Sequence, residues 1–155
     1  MTNETIQIIT IITLSISAIA AAISAIFSAK SSKTTLELYK KEKEEQLIAE
    51  LNRILEIGIE YPYLESKEFT SRWDNFKELD DERYLRYDMY CNLIFNYLHH
   101  VFEHFGKEKK KIEDFVDVKT WVRLHKFNWL SPVDENEILD GYDEEFRNFI
   151  NSYIK

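Results

Sequence analysis

The sequence predicts an all-α protein: an N-terminal transmembrane helix, a helical neck, then a four- to five-helix cytoplasmic bundle. Three observations predict it. An uncharged run fills positions 5–29. Beyond it, apolar residues recur at the helical period, and no segment alternates as a half-buried strand would. Three glycines and two prolines in 155 residues leave little material for hairpin turns. The boundaries that follow are 1–30 for the membrane helix and its short tail, 31–60 for the neck and 61–155 for the bundle.

The run TIQIITIITLSISAIAAAISAIFSA is 25 residues long. About 20 apolar residues in helix cross a bilayer core. A cleaved signal peptide opens on positive charge and carries a shorter apolar stretch. Here the chain opens MTNE, so an uncleaved anchor is expected. Lys30, Lys33, Lys40, Lys41 and Lys43 follow the run, and no Lys or Arg precedes it. The positive-inside rule then puts the C-terminal side in the cytoplasm, a single pass through a bacterial inner membrane. Thr10, Ser17, Ser24 and Ser31 recur every seven residues, with Thr13, Ala20 and Ser28 at intermediate positions. Small side chains let membrane helices approach closely, so this stripe is a candidate seam between copies, or the wall of a pore. Single hydroxyls bonded to their own backbone are the alternative.

From Lys30 to Glu60 no proline interrupts the pattern, and Gly58 is the lone glycine. Leu47, Ile48, Leu51, Ile54, Leu55 and Ile59 follow the helical period, while KKEKEEQ at 40–46 is charged all round and reads as a solvated neck. Tyr61-Pro62 ends the helix, because a residue before proline avoids the helical region. Residues 66–80 predict a modest helix capped by Ser66, with Phe69, Trp73, Phe76 and Leu79 on one face. Residues 81–106 predict the central core helix, capped by Asp80 or Asp81 and stopped by Gly106. Two more helices are predicted over 110–130 and 135–154. Trp73, Phe95, Phe102, Trp121 and Phe149 are expected in the core.

Composition narrows the function classes. Twenty basic against 28 acidic residues give a net charge of −8, which argues against a duplex DNA partner. The lone cysteine, Cys91, excludes a disulfide framework and any paired-cysteine zinc site. It lies in an apolar stripe, where an inert thiol is expected. No nucleophile elbow, Walker loop or dinucleotide turn is present. His100 and His104 stand at i, i+4 with Glu103 between them, but the order HHVFEH is not H-E-x-x-H and supplies no third ligand. A helix C-terminus also favours histidine. No cofactor or metal is assigned, and no catalytic residue. Lys107, Lys109, Lys110 and Lys111 form a basic run that could meet lipid headgroups or RNA phosphate, or simply face solvent. Trp121, Phe127 and Trp129 beside Arg123, His125 and Lys126 could stack bases, although helical spacing favours core packing.

The segments YCNLIFNYLHHVFEHF, DVKTWVRLHKFNWLSP and GYDEEFRNFI resemble those of a widespread group of small bacterial membrane proteins. The layout is similar to that of the membrane accessory proteins of type VI-B CRISPR–Cas systems. That resemblance implies pore-forming homo-oligomers that enhance antiphage defence, a HEPN-like helical fold, and a defence-system nuclease or RNA as partner. HEPN RNases carry Arg, four to six residues, then His. Here none of the arginines at 53, 72, 83, 86, 123 and 147 stands so before a histidine; Lys119 before His125 is the nearest approach. The reading is a non-enzymatic membrane effector, with a membrane-tethered interaction module and a HEPN-like RNase as alternatives.

Overall fold

The computed structural model describes residues 3–75, 82–134 and 136–154, with the side chains at 4–16, 18–20, 22 and 137 left aside. Every regular element among them is helical. Helix α1 spans Asn3–Glu60, and a 3-10 turn, Pro62–Glu65, follows it. Then come α2 (Lys67–Thr70), α3 (Glu82–His104), α4 (Lys109–Phe115), α5 (Val118–Leu130), α6 (Glu137–Gly141) and α7 (Glu144–Asn151). The chain divides into two compact units, 1–44 and 45–155.

The first unit is the helical stretch through Glu44. Its described side chains between Ser17 and Lys43 are exposed, including Ile23, Ile26, Phe27 and Leu36. Among the described residues no helix is long and apolar enough to cross a membrane. Most of the expected span falls on side chains outside the description, so the structure lends it no support beyond a helical backbone.

The second unit is built on α3. Its apolar period buries Tyr84, Tyr87, Cys91, Ile94, Phe95, Leu98, Val101 and Phe102. Such a wide stripe suits an element packed on more than one side. The last turns of α1 belong to this unit, with Leu47 and Ile54 buried in its core. Helix α5 packs on α3, and α4 fills the angle between them, anchored by the fully buried Ile112. Much of the packing is aromatic. Trp129 meets Phe95, Tyr142 and Phe146 at centroid distances of 4.7, 5.5 and 6.1 Å. Trp73 stacks on Tyr84 at 4.9 Å.

Three of the expected helices differ from those observed. The helix expected over 66–80 is the single turn α2 with a tight turn at 73–75; Phe76, Leu79, Asp80 and Asp81 lie outside the described residues. Ser66 precedes α2, but its side chain makes no capping hydrogen bond. The helix expected over 110–130 breaks at Val116, which is extended, and restarts when Asp117 accepts from the Thr120 N–H at 3.1 Å. The helix expected over 135–154 breaks at Tyr142, and Asp143 accepts from the Phe146 N–H at 2.8 Å to open α7. In both cases a capping aspartate offers the backbone an alternative to continuing the helix. The stop of α3 stands as read. The Lys107 N–H bonds the Phe102 carbonyl at 2.9 Å and the Gly106 N–H bonds that of Glu103 at 3.1 Å. Gly106 takes φ +61°, the left-handed residue this helix end requires.

Candidate functional site

Polar side chains converge inside the second unit around His125. The Asp117 cap sets the register of α5, and Val118, Val122, His125 and Trp129 then fall on its buried face. Tyr87, Tyr90 and Cys91 come from the facing side of α3. Glu65 comes from the 3-10 turn that Pro62 opens. The His125 Nδ1 lies 3.1 Å from the Tyr87 hydroxyl and 3.8 Å from the Cys91 Sγ. Its Nε2 lies 3.5 Å from Glu65 Oε1, within ion-pair reach but long for a hydrogen bond. The Tyr90 hydroxyl donates to the same carboxylate oxygen at 2.5 Å. Gly58 makes room for this pair: a Cβ there would stand 3.0 Å from the Tyr90 hydroxyl.

The order thiol, imidazole, carboxylate is that of a nucleophile, its base and an orienting acid. Access decides against catalysis. Tyr87, Cys91 and His125 are each 0% exposed, so no substrate atom can approach the sulfur or either ring nitrogen. Burial pushes the Tyr87 and Tyr90 phenols far up, and the Glu65 carboxylate raises Tyr90 further, so both keep their protons. Burial also pushes the Glu65 carboxyl up. The nearby His125 imidazole and the Tyr90 hydrogen bond outweigh it and hold Glu65 below the usual carboxylate range. The Tyr87–His125 bond ties α3 to α5 and the Tyr90–Glu65 bond ties α3 to the 3-10 turn, while the buried His125 Nε2 has no hydrogen-bond partner among the described residues.

The histidines of α3 separate in space. His100 Nδ1 pairs with Glu50 Oε2 at 3.0 Å, joining α3 to α1. His104 packs edge-on against Phe105. His99, Glu103 and Asp143 instead bring one ligand atom each within 4.8 Å of one another. The Lys107 ammonium already serves this corner. It lies 3.6 Å from Glu103 and bonds Glu145, which with the neighbouring Asp143 charge raises its pKa. Asp143 is committed to the Phe146 N–H, which with Lys107 and His99 holds its carboxyl low.

The basic run is largely neutralised where it stands. Besides Lys107, Lys109 lies 3.9 Å from Glu113 and over the Tyr153 ring. Lys111 donates to Glu108 at 2.6 Å. Among the described residues only Lys110 of the four has no acidic partner. In the expected seam, Ser17, Ser24, Ser28 and Ser31 are exposed, while the side chains of Thr10, Thr13 and Ala20 lie outside the description. Of the aromatics beside cations, Trp129 is buried, Trp121 half-buried and Phe127 exposed.

One surface feature escaped the sequence reading. Leu85, Met89 and Leu93 stand exposed at i, i+4, i+8 on α3 and line a groove with Ile57, Tyr90 and Arg86. Their spacing matches the helical period, but α3 is rich enough in apolar residues to hide a second face. The periodic residues named together on α1 divide: Leu47 and Ile54 are buried, whereas Ile48, Leu55 and Ile59 are exposed. Comparisons with protein-family models, with curated proteins and with solved structures found no match for this chain.

Proposed function

We propose that this chain is a membrane-anchored, non-enzymatic homo-oligomer that forms a pore in, or otherwise perturbs, the bacterial inner membrane in antiphage defence. The observation that carries the anchor is the uncharged run at 5–29 within α1, followed by five lysines before Glu44. The small-residue stripe from Thr10 to Ser31 supports self-association. The defence setting rests on the resemblance alone. Against an enzyme stands the sealing of the His125 cluster, which includes the one histidine with an approximate RNase spacing. The reading is tested by topology. A reporter active only in the cytoplasm, fused after Lys155, should work, and one active only in the periplasm should stay silent. The reverse pair of signals overturns the orientation, and a fully soluble fusion overturns the anchor.

The open groove at Leu85, Met89 and Leu93 favours a second reading, a tethered module that recruits a cytoplasmic protein. Loss of partner capture on Met89→Glu, with membrane activity retained, would select it.

A further inference from the structure

His99 and Glu103 stand at i, i+4 and share one face of α3. The chain returns to that face at Asp143, the N-cap of α7. One imidazole nitrogen, one Glu103 oxygen and one Asp143 oxygen lie within 4.8 Å of one another there. The return is held on both sides of Asp143. The Tyr142 hydroxyl donates to Asn96, on the turn of α3 before His99, at 2.9 Å. Phe146 is fully buried, and its N–H donates to Asp143 Oδ1 at 2.8 Å. The His99 ring packs against these same two neighbours, edge-on to Tyr142 at 5.6 Å and tilted on Phe146 at 4.8 Å. The half-buried imidazole is thus fixed before any ligand arrives, while both carboxylates are exposed.

Any flat apolar side chain could pack on Tyr142 and Phe146. What the imidazole adds is a nitrogen beside two carboxylates. One nitrogen and two oxygens, drawn from two elements, form a set that a zinc-class ion accepts, with solvent completing its coordination. Magnesium or calcium would seek an all-oxygen shell. Ligands on one zinc stand about 3.3 Å apart, given bonds of about 2.0–2.1 Å, so the exposed Glu103 and Asp143 side chains must close inward. The cap does not prevent this, since a carboxylate that accepts at Oδ1 keeps a second oxygen. Nor does Lys107. At 3.6 Å it makes no hydrogen bond with Glu103, and it bonds Glu145 instead. The local charge favours a further cation, because that one ammonium faces Glu103, Asp143 and Glu145. Between Asp134 and Glu145 the chain carries seven acidic residues and no basic one, which deepens the same field.

We propose that His99, Glu103 and Asp143 bind a single zinc-class divalent ion that pins the start of α7 to α3. The inference depends neither on the anchor nor on self-association. The purified full chain, stripped with a chelator, is dialysed against buffered free zinc and then melted. One zinc ion per chain should bind saturably at micromolar free zinc, and excess magnesium should not displace it. The melting temperature should rise with zinc, because the ion binds only the folded chain. Glu103→Gln and Asp143→Asn alter exposed groups, and the asparagine oxygen still caps α7, so both variants should fold. Each should weaken zinc binding at least tenfold, since even the loss of an outer-shell partner costs about 10–100-fold. Each should also lose the zinc-induced rise in melting temperature. His99→Ala should behave alike; if it fails to melt cooperatively, the two carboxylate variants decide. His100→Ala combined with His104→Ala should leave zinc binding unchanged. Binding that never saturates, binding that survives Glu103→Gln or Asp143→Asn, or binding lost with His100 and His104 overturns the proposal.

Discussion

Glu65 is the one member of the His125 cluster that reaches solvent, with a third of its side chain exposed. Its carboxyl is held below the usual range in the folded chain. The stability it contributes is therefore complete above the pKa of an unfolded glutamate and is lost as pH falls through the lowered folded value. Glu65→Gln should lower the melting temperature at neutral pH and flatten the acid side of the stability curve. A variant whose curve stays parallel to the parent's from neutral to acid pH would contradict the assignment. Phe95 offers a second test. It is fully buried, and Phe95→Ala should cost about 3–5 kcal/mol. Phe127→Ala, at 41% exposure, should stay within roughly 0.5 kcal/mol. Chemical unfolding of the full chain followed by tryptophan fluorescence compares the two. Of the five aromatics expected in the core, Trp73, Phe95 and Phe102 are buried, while Trp121 and Phe149 are half-buried against its edge. Helical spacing ranks residues on a face but does not say how far the next element covers it. The link from Glu65 to His125 crosses 60 positions of sequence, so no local pattern could announce it.

At the scale of elements, the existence of helices was legible and their breaks were not. The apolar period runs unbroken through Ile112, Phe115, Val118 and Val122, so a reading by period passes over Val116 and Asp117. The signal that could have stopped it is the aspartate itself, three residues before an N–H it can cap. Gly141-Tyr142-Asp143 carried the same signal, strengthened by a glycine. Asp117 bonds both the Thr120 side chain and its N–H, which hold its carboxyl low. Asp117→Ala should cost about 1 kcal/mol, and Asp117→Asn much less, because the amide oxygen still caps. Thermal unfolding of the pair measures the difference; equal losses would show that charge rather than the cap matters. The Gly106 end is the converse case, since a glycine after the last periodic residue is an unambiguous stop. Gly106→Ala places a Cβ at φ +61° with no atom within 4 Å to clash against. Its cost should be the backbone penalty alone, about 1 kcal/mol.

At the scale of the molecule, the question is whether activity resides in the proposed membrane attachment or in side-chain chemistry. An oligomer that perturbs a bilayer needs its span, since tethering in two dimensions supplies the effective concentration for assembly. It has no need of His99, His100 or His104, which pack against Tyr142 and Phe146, pair with Glu50 and pack on Phe105 respectively. A nuclease has the opposite needs. Losing an acid–base histidine removes roughly 10²–10⁴-fold in rate, while a fragment without the span should still cut RNA. Dye uptake by cells and RNA cleavage should therefore be read in parallel on the full chain, on a chain lacking 5–29, and on each with the three α3 histidines changed to Ala. On the proposed reading, dye uptake should vanish when 5–29 is removed and persist without the histidines. His125 needs separate treatment, because it is fully buried and His125→Ala would leave Tyr87 and Glu65 facing a void. His125→Gln keeps a polar group near both, so a loss of cleavage in a variant that still melts cooperatively would identify chemistry rather than unfolding. Cleavage by the span-less chain that disappears in His125→Gln would overturn the non-enzymatic reading, and it would require the bundle to open around a residue that the folded state seals.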